Sequence, residues 1–220
     1  AADFLTILTM NCRSEVMFST EEDACSTVGV PPQATADGKV YLAQNWDWWS
    51  QGEGTTVVLE IEQAPYEKLL LITEAGLVGG KGLNACGVGM SLNALSCRKA
   101  GKGLPVIALM RHALSQPTVP KAIDAIARAP RAGAGCIGLA SADGLVAFVE
   151  ASPRNLDVLL PDGRPLCHTN HWVSPAMRLA DDTSQYSWAN TFTRYDRIRT
   201  QSAFKHGRLD RDALFGILSD

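Results

Sequence analysis

Four residues of this 220-residue chain could share one piece of chemistry: Cys25, Asp47, Asn93 and Asn170. Cys25 follows a small residue in Asp23-Ala24-Cys25-Ser26-Thr27, so its sulfur could reach the preceding carbonyl with little hindrance and sever the Ala24-Cys25 bond. A cysteine released in this way carries its own base. Its α-amine, with a reference pKa of about 7.7 to 8.0, can take the thiol proton directly or through a water, and no histidine is required. Asn170 offers a side-chain amide to a developing oxyanion, a contribution of about 3 to 4 kcal/mol where such donors have been deleted. Asn93 reads either as a second such donor or as a polar residue on the edge of a core strand. Asp47 lies in Gln44-Asn45-Trp46-Asp47-Trp48-Trp49. A carboxylate among tryptophans is either exposed at a rim or tied to a cation such as a freed amine.

The elements that must position these groups can be read from turn chemistry and periodicity. Strands over 25–30 and 40–49, separated by Pro31-Pro32 and Asp37-Gly38, form an expected antiparallel hairpin that returns Asp47 toward Cys25. Alternation puts Asn45, Asp47 and Trp49 on one face and Gln44, Trp46 and Trp48 on the other, which makes Asn45 an accessory candidate beside Asp47. Further strands are expected over 55–62, 68–73, 88–94, 136–140, 145–151 and 156–160, with helices over 104–114, 120–128, 191–202 and 211–218. Strands, then a helix pair, then strands again indicate an α+β protein with two packed sheets and helices outside. The apolar segment 1–10 has mixed helix and strand character, and Asn11 to Glu15 reads as a loop. Gly79-Gly80-Lys81-Gly82 lacks the G-x-x-x-x-G-K-[ST] order of a phosphate loop and reads as a turn.

With 46% hydrophobic and 20% charged residues the chain has the composition of one soluble globular domain, which excludes disordered and fibrous classes. A net charge of −3 supplies no positive field for a phosphate backbone, and no apolar run is long enough to span a bilayer. Neither nucleic acid nor membrane is an expected partner. Six cysteines without a C-x-x-C pair favour reduced thiols in an intracellular compartment. Cys167-His168-Thr169-Asn170-His171 raises a zinc site as the rival reading, on an inactive or metal-binding scaffold, but it supplies at most three close ligands, and no metal or cofactor is expected.

Asn11-x-Arg13-Ser14-Glu15, Cys25-Ser26-Thr27, Gln44-Asn45-Trp46-Asp47, Ile72-Thr73-Glu74-Ala75-Gly76, Ser91-Leu92-Asn93-Ala94-Leu95 and His168-Thr169-Asn170-His171 occur in this order. Together they resemble the acyl-coenzyme A:6-aminopenicillanic-acid acyltransferase family, also called the C45 autoproteolytic peptidase family, among the N-terminal-nucleophile hydrolases. The resemblance implies a four-layer αββα sandwich and cleavage between Ala24 and Cys25. Residues 1–24 would end an α fragment, and 25–220 would form the nucleophile-bearing fragment. The chain would be truncated at both ends, with its last strands and an active-site arginine beyond Asp220. Asp47 matches the aspartate near the nucleophile, Asn170 the oxyanion-hole asparagine, Asn93 a site-lining asparagine and Ser152 a serine linked to function. Ala24 stands where the penicillin-forming enzyme has glycine, and Ser26 where it has threonine. The implied activity moves an acyl group from a small-molecule amide or thioester, acyl-coenzyme A included, through Cys25 to water or an amine. The α fragment would be the protein partner, and the compartment cytoplasmic or peroxisomal. The alternative within the same chemistry is an N-acyl amino acid or acyl-amine hydrolase with no β-lactam role.

Overall fold

The computed structural model describes residues 3–17, 24–47, 52, 54–184 and 189–220. Trp48 and Trp49 lie outside them, as does the polar stretch 19–23 that leads toward the thiol. Strand β1 (Ala24–Val30), rich in β-branched residues, pairs antiparallel with β2 (Tyr41–Asp47) through a turn that contains Gly38 at φ 70°. The expected hairpin therefore forms, with Ala24 opposite Asp47 and Cys25 opposite Trp46. Strand β10 (Leu166–His168) adds to the other side of β1, completing a three-stranded sheet in the order β10-β1-β2.

The second sheet is a seven-stranded antiparallel meander in chain order: β3 (Thr56–Gln63), β4 (Tyr66–Glu74), β5 (Lys81–Asn84), β6 (Val88–Ala94), β7 (Gly135–Ser141), β8 (Val146–Ala151) and β9 (Leu156–Leu159). Strands β7 and β8 are buried at every position because they are covered on both faces. One face packs on helices α3 (Val106–Leu114) and α4 (Val119–Arg128), joining Leu69, Leu71, Met110, Leu114, Ile126 and Leu139 in the largest core. Each such side chain contributes about 1.5 to 3 kcal/mol by leaving water. The other face meets the three-stranded sheet, whose outer side carries α6 (Ala189–Phe204) and α7 (Arg211–Leu218), the short helix α5 (Pro175–Leu179) coming between β10 and α6 in the chain. The order helix, sheet, sheet, helix is the expected αββα sandwich.

Strand alternation decides what β1 shows to each layer. Val28 and Val30 point outward to Ile198, Leu214 and Ile217 of the helices. Cys25, Thr27 and Gly29 point inward. At Gly29 a Cβ would sit 2.7 Å from Val146 Cγ1 and 2.9 Å from Phe148 Cε1, so the sheets meet there too closely for a side chain.

Three readings change. The segment expected to be of mixed character is helix α1 (Phe4–Asn11), started by Asp3, whose carboxylate accepts the Thr6 N–H at 2.8 Å. Part of the expected loop after it is the short helix α2 (Ser14–Met17). Gly79-Gly80-Lys81-Gly82, read as a turn, instead enters strand β5, where a Cβ on Gly82 would overlap Leu70 O. Glycines demanded by close strand packing look like turn glycines in a sequence. Among the described residues no helix is long and apolar enough to cross a membrane.

Candidate active site

Cys25 is only 4% exposed, near the start of β1. Its backbone N–H donates to Asn170 Oδ1 at 2.9 Å. The Asn170 amide is orientated by its surroundings: Oδ1 also accepts from Arg194 Nη2 (3.0 Å), while Nδ2 donates to Ala94 O (3.1 Å). Reversing the amide would set donor against donor and acceptor against acceptor. The Asn170 backbone N–H donates to Thr191 Oγ1 (2.8 Å), and Thr169 Oγ1 donates to Thr191 O (3.0 Å), so the start of α6 grips the turn that carries Asn170.

Arg194, one turn further along α6, reaches across the outer face of β1. Its Nη1 donates to Cys25 O (2.7 Å) and to Ser26 Oγ (3.0 Å). Burial lowers its pKa, opposed by the nearby Cys25 and Asp47. Asp47 is exposed at the end of β2, opposite Ala24 in the register, so its carboxylate stands on the strand facing the Ala24-Cys25 bond.

The inner face of Cys25 opens on a narrow cleft. Leu77, Leu92, Ile107 and Met110 give it an apolar lining, and Trp46 stands beside the thiol with Lys81 Nζ 3.3 Å from its ring centre. Arg13 and Ser14, from the segment ahead of the thiol, also line it, and Arg13 pairs with Glu74 at the same cleft. Gln44 shares the thiol's face of β2 and bonds both backbone groups of Leu92, so it ties the two sheets beside the cleft.

A family model described as acyl-coenzyme A:6-aminopenicillanic acid acyl-transferase matches residues 34–220, from the hairpin turn onward. The chain belongs to that family. The 40 kDa form of acyl-coenzyme A:6-aminopenicillanic-acid-acyltransferase from Emericella nidulans is 30% identical over 171 residues, covering 75% of this chain and 46% of that protein. This family member therefore spans about half the length of the curated relative it matches. Among solved structures, a Caenorhabditis elegans N-acylethanolamine-hydrolyzing acid amidase ortholog is similar with a TM-score of 0.66 at 16% identity, covering 89% of this chain and 86% of that chain. Penicillin V acylase from Agrobacterium tumefaciens follows with a TM-score of 0.51 at 15% identity, covering 89% of this chain and 71% of that chain. At such identities the likeness is one of fold, and it bears out the sandwich.

The other residues singled out in this acyltransferase-family chain lie as follows. Asn93 is fully buried between the sheets, where Oδ1 accepts from Thr27 Oγ1 (2.7 Å) and Nδ2 donates to His168 O (3.4 Å). Asn45 shares a face with Asp47, but that face looks toward the helices, and its amide donates to Leu218 O in α7. Ser152 closes the turn after β8, donating to Asp182 Oδ2 (2.8 Å) and accepting from the Asn155 N–H (3.0 Å). Cys167 and His168 point to opposite faces of β10, the first among the outer-helix core residues and the second against Glu150, so they do not converge as one ligand set. Arg194, which the sequence reading did not single out, is held against Cys25 and Asn170. Its signal was spacing: Thr191, Arg194 and Ile198 fall on one helical face, and an arginine on a buried face needs partners.

Proposed function

We propose that the chain is the nucleophile-bearing part of a self-processing cysteine amidohydrolase or acyltransferase. The carrying observation is the bond from the Cys25 nitrogen to Asn170 Oδ1: the atom that would become the catalytic amine is already held in the site. In processing, Cys25 Sγ attacks the Ala24 carbonyl carbon, the C–N bond breaks as the thiol proton passes to nitrogen, and a thioester forms. Water then hydrolyses the thioester, giving the Ala24 carboxylate and a thiol beside its own α-amine.

In turnover the amine takes the thiol proton and the sulfur attacks an amide or thioester carbonyl. The ammonium protonates the departing amine or thiol, and an acyl-cysteine remains. Water or an incoming amine collects the acyl group, returning its proton through the same nitrogen. Asn170 and Arg194 fix that nitrogen and the Cys25 carbonyl, the guanidinium charge favours the thiolate, and Asp47 faces the freed ammonium. The apolar lining of the cleft suits an acyl chain, and acyl-coenzyme A enters as a substrate where it is the donor.

The segment ahead of the cut would stay as a partner. Asn11 Nδ2 donates to Gly76 O (3.0 Å), Asn11 Oδ1 accepts the Val78 N–H (2.8 Å), and Glu15 Oε1 accepts the first amide of α3 from Val106 (2.7 Å).

Intact mass of the product of the full-length gene tests processing. Two fragments divided at Ala24-Cys25 are expected, and an active, uncut chain overturns the reading. A panel of N-acyl amines and N-acyl amino acids, set against acyl-coenzyme A with 6-aminopenicillanate, then separates hydrolysis from transfer.

A further inference from the structure

Glu150 and His168 are both fully buried, in contact with each other, and take no part in the chemistry described above. Glu150 lies on β8, in a row that crosses the large sheet from Asn93 through Cys136 and Glu150 to Asp157. Apart from Cys136, every member of this row reaches a group between His168 and Ser174. Asn93 donates to His168 O, Glu150 Oε1 accepts from His168 Nε2 (2.7 Å) and the Val173 N–H (2.6 Å), and Glu150 Oε2 accepts the Ser174 N–H (3.1 Å). Asp157 accepts from the Ser174 hydroxyl. On its other ring nitrogen His168 donates from Nδ1 to Thr169 O (2.8 Å), since a carbonyl can only accept.

One carboxylate thus holds the chain on both sides of residues 169–172, and Asn170 lies inside that span. Phe148 and Cys136 make the surroundings apolar, and a buried ionisable pair in such a place rarely stabilises more than packed hydrophobic residues would. Its advantage is directional. We propose that Glu150 and His168 are positioning residues that set the place of Asn170, and through it the nitrogen of Cys25. The inference rests on the function proposed above.

The test is a double-mutant cycle on the processed, full-length protein, using whichever panel substrate turns over fastest. Glu150→Gln keeps the shape but puts an amide donor where an acceptor is required. It is expected to lower kcat about 10- to 100-fold with KM within about twofold, because small misplacements act on the reacting geometry. In an Asn170→Ala background the same change should cost nothing further. An equal loss in both backgrounds, or full kcat in a folded Glu150→Gln protein, overturns the inference. If Asn170→Ala alone leaves turnover intact, it is the function reading that fails. Should Glu150→Gln not fold, His168→Gln carries the same cycle, since its amide can still donate to Glu150 but no longer to Thr169 O. Alkylation of Cys25 by iodoacetamide gives a readout without substrate. It should slow in Glu150→Gln, and not slow further in the double variant; an unchanged rate counts against the inference.

Discussion

Three buried cysteines in this molecule occupy two kinds of surroundings. Cys136 sits in the middle of the large sheet, where burial, aided by the Glu150 carboxylate, pushes its thiol well above the ordinary range. Cys167 faces the outer-helix core, and burial pushes it up to about 12 despite the nearby Arg199. Cys25, at 4% exposed, lies between these two in burial, but its backbone nitrogen and carbonyl are held by Asn170 and Arg194, and its side chain opens on a cleft. The difference teaches that burial alone pushes a thiol toward inertness. On the function proposed above, what would qualify Cys25 for chemistry is a nearby cation, a held nitrogen and an open cleft.

The sharpest way to break this comparison is to exchange the thiols' fates. Cys25→Ala should abolish both processing and turnover, read by intact mass and by the substrate panel, whereas Cys136→Ala and Cys167→Ala should retain both even where they lower stability. Processing that survives in Cys25→Ala would dissolve the contrast. Arg194→Ala comes next. Removing its hydrogen bonds to Cys25 O and Asn170 Oδ1 is expected to cost about 100- to 1,000-fold in kcat, the size seen when a single charge-stabilising donor is deleted. Arg194→Lys should recover only part of this, because an ammonium cannot span both acceptors as a planar fork does.

How much of this was legible follows from the range of each interaction. The β1/β2 hairpin and helices α3 and α4 were legible because turn residues and periodic apolar residues act over a few positions. Cys25 was singled out by its small neighbour and the returning aspartate, and its place beside a cleft is what the proposal adds to that reading. Arg194 was not, since it meets Cys25 across 169 positions and leaves only a helical spacing behind it. Asn45 shows a subtler limit. Alternation tells which residues share a face, but only the register, with Cys25 opposite Trp46, tells which face looks at the thiol. Gln44 and Trp46 therefore took the place beside the cleft, and Asn45 went to the helices.

Burial acts on bases by the same rule, and His171 extends the comparison beyond thiols. Its ring, packed on Phe192 and Tyr195, is pushed from 6.5 to about 4 chiefly by burial, with the neighbouring His168 adding to the shift. The folded state therefore resists a proton that the unfolded chain accepts. Stability should be constant above about pH 6.5 and fall as the pH drops toward about 4, by at most about 3 kcal/mol. Thermal unfolding across that window measures the slope. His171→Asn, which can present a hydrogen-bonding atom near Nδ1 without a titrating ring, should flatten it; an unchanged slope would assign the loss to other groups.

The smallest effect asks on which side of the comparison Asn93 belongs, the reactive end of β1 or the inert seam between the sheets. Thr27→Val keeps the shape of the side chain and removes the hydroxyl that donates to Asn93 Oδ1, leaving a fully buried acceptor without that donor. The expected loss is about 1 to 3 kcal/mol, seen as a lower unfolding midpoint in denaturant with an unchanged slope. Because Asn93 also donates to His168 O, one residue before the turn of Asn170, a purely structural seam should pass little of this to kcat. A variant pair separates the cases. If Asn93 serves packing, Thr27→Val combined with Asn93→Leu should recover the part lost at the Thr27 hydrogen bond, since both of its partners are gone, while His168 O loses the Asn93 donor, and turnover should be kept. If Asn93 touches the reacting atoms, the pair should recover stability and lose kcat, which would move Asn93 to the thiol's side of the divide.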